Sequence, residues 1–245
     1  MMPKRRIVFA LDYPTLEQAM AGAQRVRGEV GVLKVGLELF VKEGPPALAI
    51  AGKLGLDLFA DLKLCDIPET VDRAIASVAC SGAKLVTVHA SGGAAMLSRA
   101  VERARRENAD LTVLAVTALT SLDEHDLASQ GISGTASEHV LRLARLAWNA
   151  GVRGFVCSAA EVAQLRRELG AQAILVTPGV RPAGAEPHDQ KRVATPGQAI
   201  KDGADFIVVG RPIRDAADPA AAARAIAAEI ASALADPASP PRQRG

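Results

Sequence analysis

Short apolar runs rich in β-branched residues recur along the chain at intervals of roughly 20–40 residues. They are Ile7–Leu11, Val32–Val35, Leu56–Ala60, Leu85–Val88, Leu111–Val116, Val152–Val156, Ala173–Val176 and Phe206–Val209. Between them lie Ala-, Leu-, Glu- and Arg-rich segments with helical spacing, among them Leu16–Val26, Val71–Ala79, Met96–Arg106, Val140–Ala147 and Val162–Leu169. A strand that is apolar at every position has both faces buried, which is the pattern of a parallel sheet covered by helices. Eight such units in about 230 residues predict an α/β fold, a (β/α)8 TIM barrel. It is expected as a single domain over residues 1–235, followed by a frayed Pro- and Arg-rich tail at 236–245. The alternative, an open doubly wound sheet, is weakened because no Gly-x-Gly-x-x-Gly follows the first strand.

Composition narrows the partners. The chain has 245 residues, 49% apolar and 23% charged. A chain of that length buries roughly 70–75% of its extended surface and needs no metal or disulfide staple to fold. Basic and acidic residues number 29 and 27, a net charge of +2, which excludes a general trap for polyanions. Five Phe, one Trp and one Tyr are too few for base-stacking platforms, so no nucleic-acid partner is expected. The cysteines Cys65, Cys80 and Cys157 are scattered and never spaced Cys-x-x-Cys, which argues for a reducing, cytoplasmic setting and against a zinc knuckle. After Lys4-Arg5-Arg6 the apolar run Ile7–Leu11 is too short for a signal-peptide core. No run approaches the roughly 18 apolar residues of a membrane span, so no membrane partner is expected.

Barrels of this kind carry their active sites at the C-terminal ends of the strands. The residues that end these strands are therefore informative. They are Asp12, Lys34-Val35-Gly36, Asp61-Leu62-Lys63, His89, Thr117 with Thr120 beyond it, Pro178-Gly179-Val180-Arg181, and Gly210-Arg211. Strand side chains alternate, so Asp61 and Lys63 should share a face with Phe59, with Leu62 and Ala60 on the other. Lys34, one strand over, can bring a second ammonium against Asp61, and Asp66 follows within a turn. An interleaved array of Lys34, Asp61, Lys63 and Asp66 would neutralise itself without a metal. Gly210 and Arg211, after the eighth strand, would form an anion site where barrels often bind phosphate. Arg181 and Gln190, from the long polar segment Pro178–Pro196, would close over it.

Plainer readings compete with these. Asp61 with Lys63 can be a structural ion pair, and Lys34 can snorkel from a strand end to water. Asp66 before Ile67-Pro68-Glu69 has the form of a helix cap. His89 reads as a hydrogen-bonded strand-end residue. His125, His139 and His188 show no metal spacing and read as surface residues.

Together, Ala10-Leu11-Asp12, Lys34-Val35-Gly36, Asp61-Leu62-Lys63-Leu64-Cys65-Asp66-Ile67-Pro68, Thr177-Pro178-Gly179-Val180-Arg181 and Val209-Gly210-Arg211 resemble the orotidine 5′-monophosphate decarboxylase family of the bacterial type. The resemblance runs from about Arg6 to Leu234 with the motifs in order. It implies decarboxylation of orotidine 5′-monophosphate to uridine 5′-monophosphate, the last step of de novo pyrimidine synthesis, with no cofactor and no metal. By that resemblance Lys63 donates the proton to ring carbon C6, and Asp61 sits beside the leaving carboxylate and keeps Lys63 protonated. Lys34 and Asp12 would bind ribose hydroxyls. Asp66, Ile67 and Thr70 would reach the neighbouring subunit's site in a homodimer. Thr120 would contact the pyrimidine edge, and Arg181, Gln190, Gly210 and Arg211 the phosphate.

Two departures from the family pattern stand in the motif: Cys65, where many members carry His, and Glu69, where Asn is frequent. Cys65 is expected to affect packing more than chemistry. Rival readings are a magnesium-dependent sugar-phosphate decarboxylase of the same superfamily, which generally has Glu where Lys34 stands, and a barrel that only binds nucleotides. A Schiff-base lysine is disfavoured because adjacent carboxylates favour the ammonium form of Lys63.

Overall fold

The computed structural model describes residues 1–119, 121–182 and 194–236. Eight strands run parallel and close on themselves: β1 (Ile7–Ala10), β2 (Val32–Val35), β3 (Asp57–Leu64), β4 (Leu85–His89), β5 (Thr112–Val116), β6 (Gly154–Val156), β7 (Ile174–Pro178) and β8 (Phe206–Val209). The order is sequential, and β1 pairs with β8 through Ile7↔Ile207, Val8↔Val208 and Phe9↔Val209. The expected barrel is therefore present. The strands are mostly apolar because one face fills the barrel and the other meets the helices.

The core accordingly has two layers. Inside the barrel lie Val8, Ala10, Val32, Phe59, Leu85, Leu114, Val176 and Val208. Outside it, alternate residues such as Phe9, Leu33, Ala60, Leu62, Val86 and Val88 pack against the surrounding helices. Those helices are α1 (Leu16–Arg25), α2 (Leu37–Glu43), α3 (Ala49–Leu54), α4 (Pro68–Cys80), α5 (Gly93–Glu107), α6 (Glu124–Ser129), α7 (Ala136–Asn149), α8 (Ala159–Leu169), α9 (Pro196–Asp202), α10 (Arg211–Arg214) and α11 (Pro219–Ala235). Local chemistry starts several of them. Thr15 accepts the Gln18 N–H at the head of α1, and Asp123 and Thr135 form reciprocal capping boxes at α6 and α7. Helix α11 ends at Ala235, and the tail expected over 236–245 lies, beyond Asp236, outside the described residues. Among the described residues no helix is long and apolar enough to cross a membrane.

Strand ends lie within two residues of the expected runs except at one instructive place. β3 does not stop at Ala60 but continues through Asp61, Leu62 and Lys63 to Leu64. The apolar run ends early because the top of its inner face is charged. There the pairing with β4 also slips: Ala60 pairs with Val86, but Leu64 pairs with Val88. Four steps along β3 thus match two along β4, the mark of a bulge, and bulges re-aim side chains beside functional sites.

Candidate active site

The inner face of the barrel changes from apolar to ionic at one level. On β2, Val32 is core and Lys34 lies above it; on β3, Phe59 is core and Asp61 and Lys63 follow. The register Lys34↔Phe59 puts these groups side by side. The Lys34 ammonium lies 3.3 Å from Asp12 Oδ1 and 3.5 Å from Asp61 Oδ2, and the Lys63 ammonium donates to Asp61 Oδ1 at 2.8 Å. The observed array is therefore Asp12–Lys34–Asp61–Lys63, and the expected alternation of Asp61 and Lys63 with Leu62 holds. Side-chain exposure falls from 43% at Asp12 to 11% at Lys34 and 14% at Asp61, then rises to 31% at Lys63. The two middle groups are shielded, and the two ends remain reachable by a ligand. Lys34 does not snorkel to water; it bridges two acids.

Burial alone would push the Asp61 carboxyl up. The ammonium groups of Lys34 and Lys63, with hydrogen bonds from Lys63 and Thr87, outweigh it and hold Asp61 below the usual aspartate range. His89, at the end of β4, is shifted down by burial and then by the nearby Lys63, so it is neutral at physiological pH. A cavity of about 190 Å³ opens beside the array, lined by Lys34, Asp61 and Lys63 on one side. Phe59, Val116, Ala118, Leu119, Val156, Pro178 and Val208 supply its apolar wall. Charges facing an apolar wall interact more strongly than they would in water.

Backbone geometry makes this packing possible. An added Cβ at Gly36 would lie 2.8 Å from the Lys34 ammonium, so glycine leaves the space the lysine tip occupies. Lys63 has φ +49°, the sole non-glycine residue with positive φ among the described residues. L-residues other than Asn and Asp visit that region rarely, and such outliers cluster at functional sites.

The opposite rim carries the expected anion groups. Pro178 pairs with Val208, so the segments following β7 and β8 are neighbours. Arg181 is buried at 6% exposure, and its backbone N–H donates to Ala194 C=O, tying together the two ends of the long segment. Gly210 heads α10, whose first residue is the half-buried Arg211. An added Cβ at Gly210 would touch Asp12 Oδ2 at 3.4 Å, so the anion corner adjoins the array. Around the mouth the order is β7, β8, β1, β2, β3: arginine groups, then Asp12 and Lys34, then Asp61 and Lys63. Thr120 and Gln190 lie outside the described residues, as does His188.

Three readings change. Asp66 does not cap α4: the cap position is Ile67, and Asp66 Oδ1 accepts only the Ile67 N–H, at 2.6 Å, one residue too early to reach the open turn. Asp66 is exposed and, among the described residues, makes no ion pair, so within one chain it is not part of the array. It stands with Ile67, 66% exposed, and the exposed Thr70 on a surface beside the mouth. Cys65 is exposed too, so it does little packing within one chain. His139 is half-buried rather than fully at the surface, and His125 is exposed.

Thr87 and Arg214 are site residues that charge and motif reasoning missed. Thr87 bonds to both Asp61 and Lys63, and Arg214 donates to the Asp12 carbonyl at 2.8 Å. Thr87 carried one legible signal, a polar residue at the inner-face parity in the middle of the apolar run Leu85–Val88. Among the described residues no three His, Cys, Asp or Glu side chains converge as metal ligands.

Comparison with known proteins bears on this site. The family model described as "Orotidine 5'-phosphate decarboxylase / HUMPS family" matches residues 5–226. A protein of Anaeromyxobacter sp. (strain K) named orotidine 5'-phosphate decarboxylase is 57% identical over 230 residues, 94% of this chain and 100% of the relative. A protein of the same name from Nitrosococcus oceani is 45% identical over 231 residues, again 94% of this chain and 100% of the relative. The crystal structure of orotidine 5'-phosphate decarboxylase from Lactobacillus acidophilus superposes with TM-score 0.80 at 35% identity, covering 92% of this chain and 98% of that one.

Proposed function

The chain belongs to the orotidine 5'-phosphate decarboxylase / HUMPS family and is a carboxy-lyase that decarboxylates orotidine 5′-monophosphate in pyrimidine biosynthesis; we propose that Lys63 is its proton donor and that no metal takes part. The observation that carries the proposal is one carboxylate, Asp61, held between two ammonium groups at 3.5 and 2.8 Å beside an apolar cavity.

The bond between ring carbon C6 and its carboxylate breaks, carbon dioxide leaves, and the electron pair stays on C6. Lys63 gives that pair a proton and forms uridine 5′-monophosphate; the neutral amine then regains a proton from solvent. A cation already in place where charge develops needs no reorganisation at the moment of reaction. Asp61 faces the substrate carboxylate and repels it, but that effect is bounded. Two unit charges about 4 Å apart interact by roughly 4 kcal/mol at an effective dielectric of 20. Enzymes lower barriers by about 8–23 kcal/mol, so stabilisation of C6 by Lys63 carries a large part. Two lysines stand where a divalent cation would otherwise balance Asp12 and Asp61, which supports metal-independent chemistry.

Asp12 and Lys34 lie between the reacting end and the arginine corner, as ribose ligands should, and Arg181, Gln190, Gly210 and Arg211 take the phosphate, with Thr120 at the pyrimidine edge. The exposed Asp66, Ile67 and Thr70 reach the second site of a homodimer. Three free cysteines, with the buried Cys157 thiol pushed up to about 12 by burial, support a reducing, cytoplasmic setting. Lys63→Ala should lower kcat by at least about 10³-fold while product still binds. The assay follows orotidine 5′-monophosphate absorbance with a chelator present. Near-normal turnover of the variant removes Lys63 from this role, and loss of wild-type activity on chelation removes metal independence.

A further inference from the structure

Asp61 and Lys63 share a support that is neither charged nor part of any motif. Thr87 stands on the inner face of β4 above Leu85 and is fully buried, at 0% exposure. Its Oγ accepts the backbone N–H of Lys63 at 2.9 Å and its hydroxyl donates to Asp61 Oδ1 at 3.0 Å. That carboxylate oxygen is also the one that takes the Lys63 ammonium, at 2.8 Å. The proton's direction is forced. Ionised Asp61 can only accept, so the hydroxyl proton goes to it and the oxygen lone pair receives the Lys63 N–H.

The place where this happens is the slip in the β3–β4 pairing, between Ala60↔Val86 and Leu64↔Val88. A bulged residue loses its ladder partner, and a buried N–H without one is costly. Lys63 sits in that stretch with φ +49°. The Thr87 hydroxyl takes the place of the missing ladder acceptor. Being β-branched, Thr87 has few rotamers to choose from, so the oxygen is held in one place. Valine would fill the same space and leave both groups without this partner.

We propose that Thr87 is a positioning residue for the decarboxylation, one atom that sets the Lys63 backbone and the Asp61 carboxylate in fixed relation. This rests on the reading of Lys63 and Asp61 given above. It assigns Thr87 no contact with substrate; it acts through its two neighbours.

The test compares Thr87→Val, which keeps the shape and removes the hydroxyl, with Thr87→Ser, which keeps the hydroxyl. Steady-state rates with orotidine 5′-monophosphate should show kcat of Thr87→Val down by at least about tenfold, with KM within about threefold. Thr87→Ser should retain kcat within about threefold of the parent. Thermal melting reports folding, and Thr87→Ala replaces the valine variant if that one fails to fold, with the same loss expected. A hydroxyl-free variant with parental kcat overturns the proposal, as does a serine variant that loses as much as valine, or a loss confined to KM. Lys63→Ala is measured alongside. If it is active, the reading of the site fails; if it is dead while Thr87→Val is normal, only the role of Thr87 fails.

Discussion

Two clusters in this protein interleave acids and bases around a shielded aspartate. At the mouth, Asp61 lies between Lys34 and Lys63. On the outside of the barrel, Asp72 of α4 lies against Arg103 and Arg99 of α5, and Glu69 joins Arg73 to Arg99. Both central aspartates are shielded, with side-chain exposures of 14% and 5%, and both are held below the usual carboxylate range. For Asp72 the leading cause is the hydrogen bonds from Arg103; for Asp61 it is the contest between burial and two ammonium charges. The outer cluster is closed: guanidinium forks saturate its carboxylates and pin one helix to the next. The inner cluster uses lysines, compact charges on flexible stems, on a bulged strand beside a cavity. A buried ion pair alone is therefore no mark of catalysis. The mark is the pair placed at strand C-termini, with an unusual backbone and open space before it.

The sharpest way to break this contrast is to neutralise each aspartate in turn. Asp61→Asn should cost at least about 10³-fold in kcat with little change in melting temperature. Asp72→Ala should leave kcat within about threefold and lower the urea midpoint, because it removes the carboxylate that joins α4 to Arg103 and Arg99 of α5. Urea unfolding and steady-state rates measure both, and similar profiles for the two variants would erase the distinction.

Next in size is the anion corner, where Gly210 and Arg211 follow β8. Arg211→Ala should raise KM by about 100-fold with a smaller change in kcat, the loss of a charged fork to phosphate. An unchanged KM removes Arg211 from phosphate binding.

The head of α4 lies between the two clusters, and there Asp66, Ile67 and Thr70 are exposed. Mixing inactive Asp66→Ala with inactive Lys63→Ala should restore about a quarter of parental activity, since half the dimers are hybrids with one intact site in two. No recovery with hybrids confirmed by native mass spectrometry would place Asp66 in its own chain's chemistry.

The smallest effect is on acid stability. The folded-state pKa values of Asp61 and Asp72 lie below their unfolded values, so their contribution is present above about pH 4 and is lost as pH falls through the folded values. The urea midpoint should fall between pH 6 and pH 3, and Asp72→Asn should flatten that slope.

Much of this molecule is legible from order along the chain alone. Continuous apolar runs and amphipathic segments are local properties, so the eight strands and the barrel follow from them, and so does the set of charges at strand ends. Family resemblance also puts Asp12, Lys34, Asp61 and Lys63 in one site. What the chain order could not supply is which atoms meet across strands. Lys34 reaching Asp12, the extension of β3 to Leu64, the left-handed Lys63 and the hydroxyl of Thr87 beneath it all depend on register. Thr87, 24 residues from Lys63 along the chain, is brought to it by the slipped register of β3 against β4. Asp66 makes the same point from the other side. Its neighbours in sequence read as a cap, yet the backbone turns one residue later, and three dimensions leave its carboxylate on the surface.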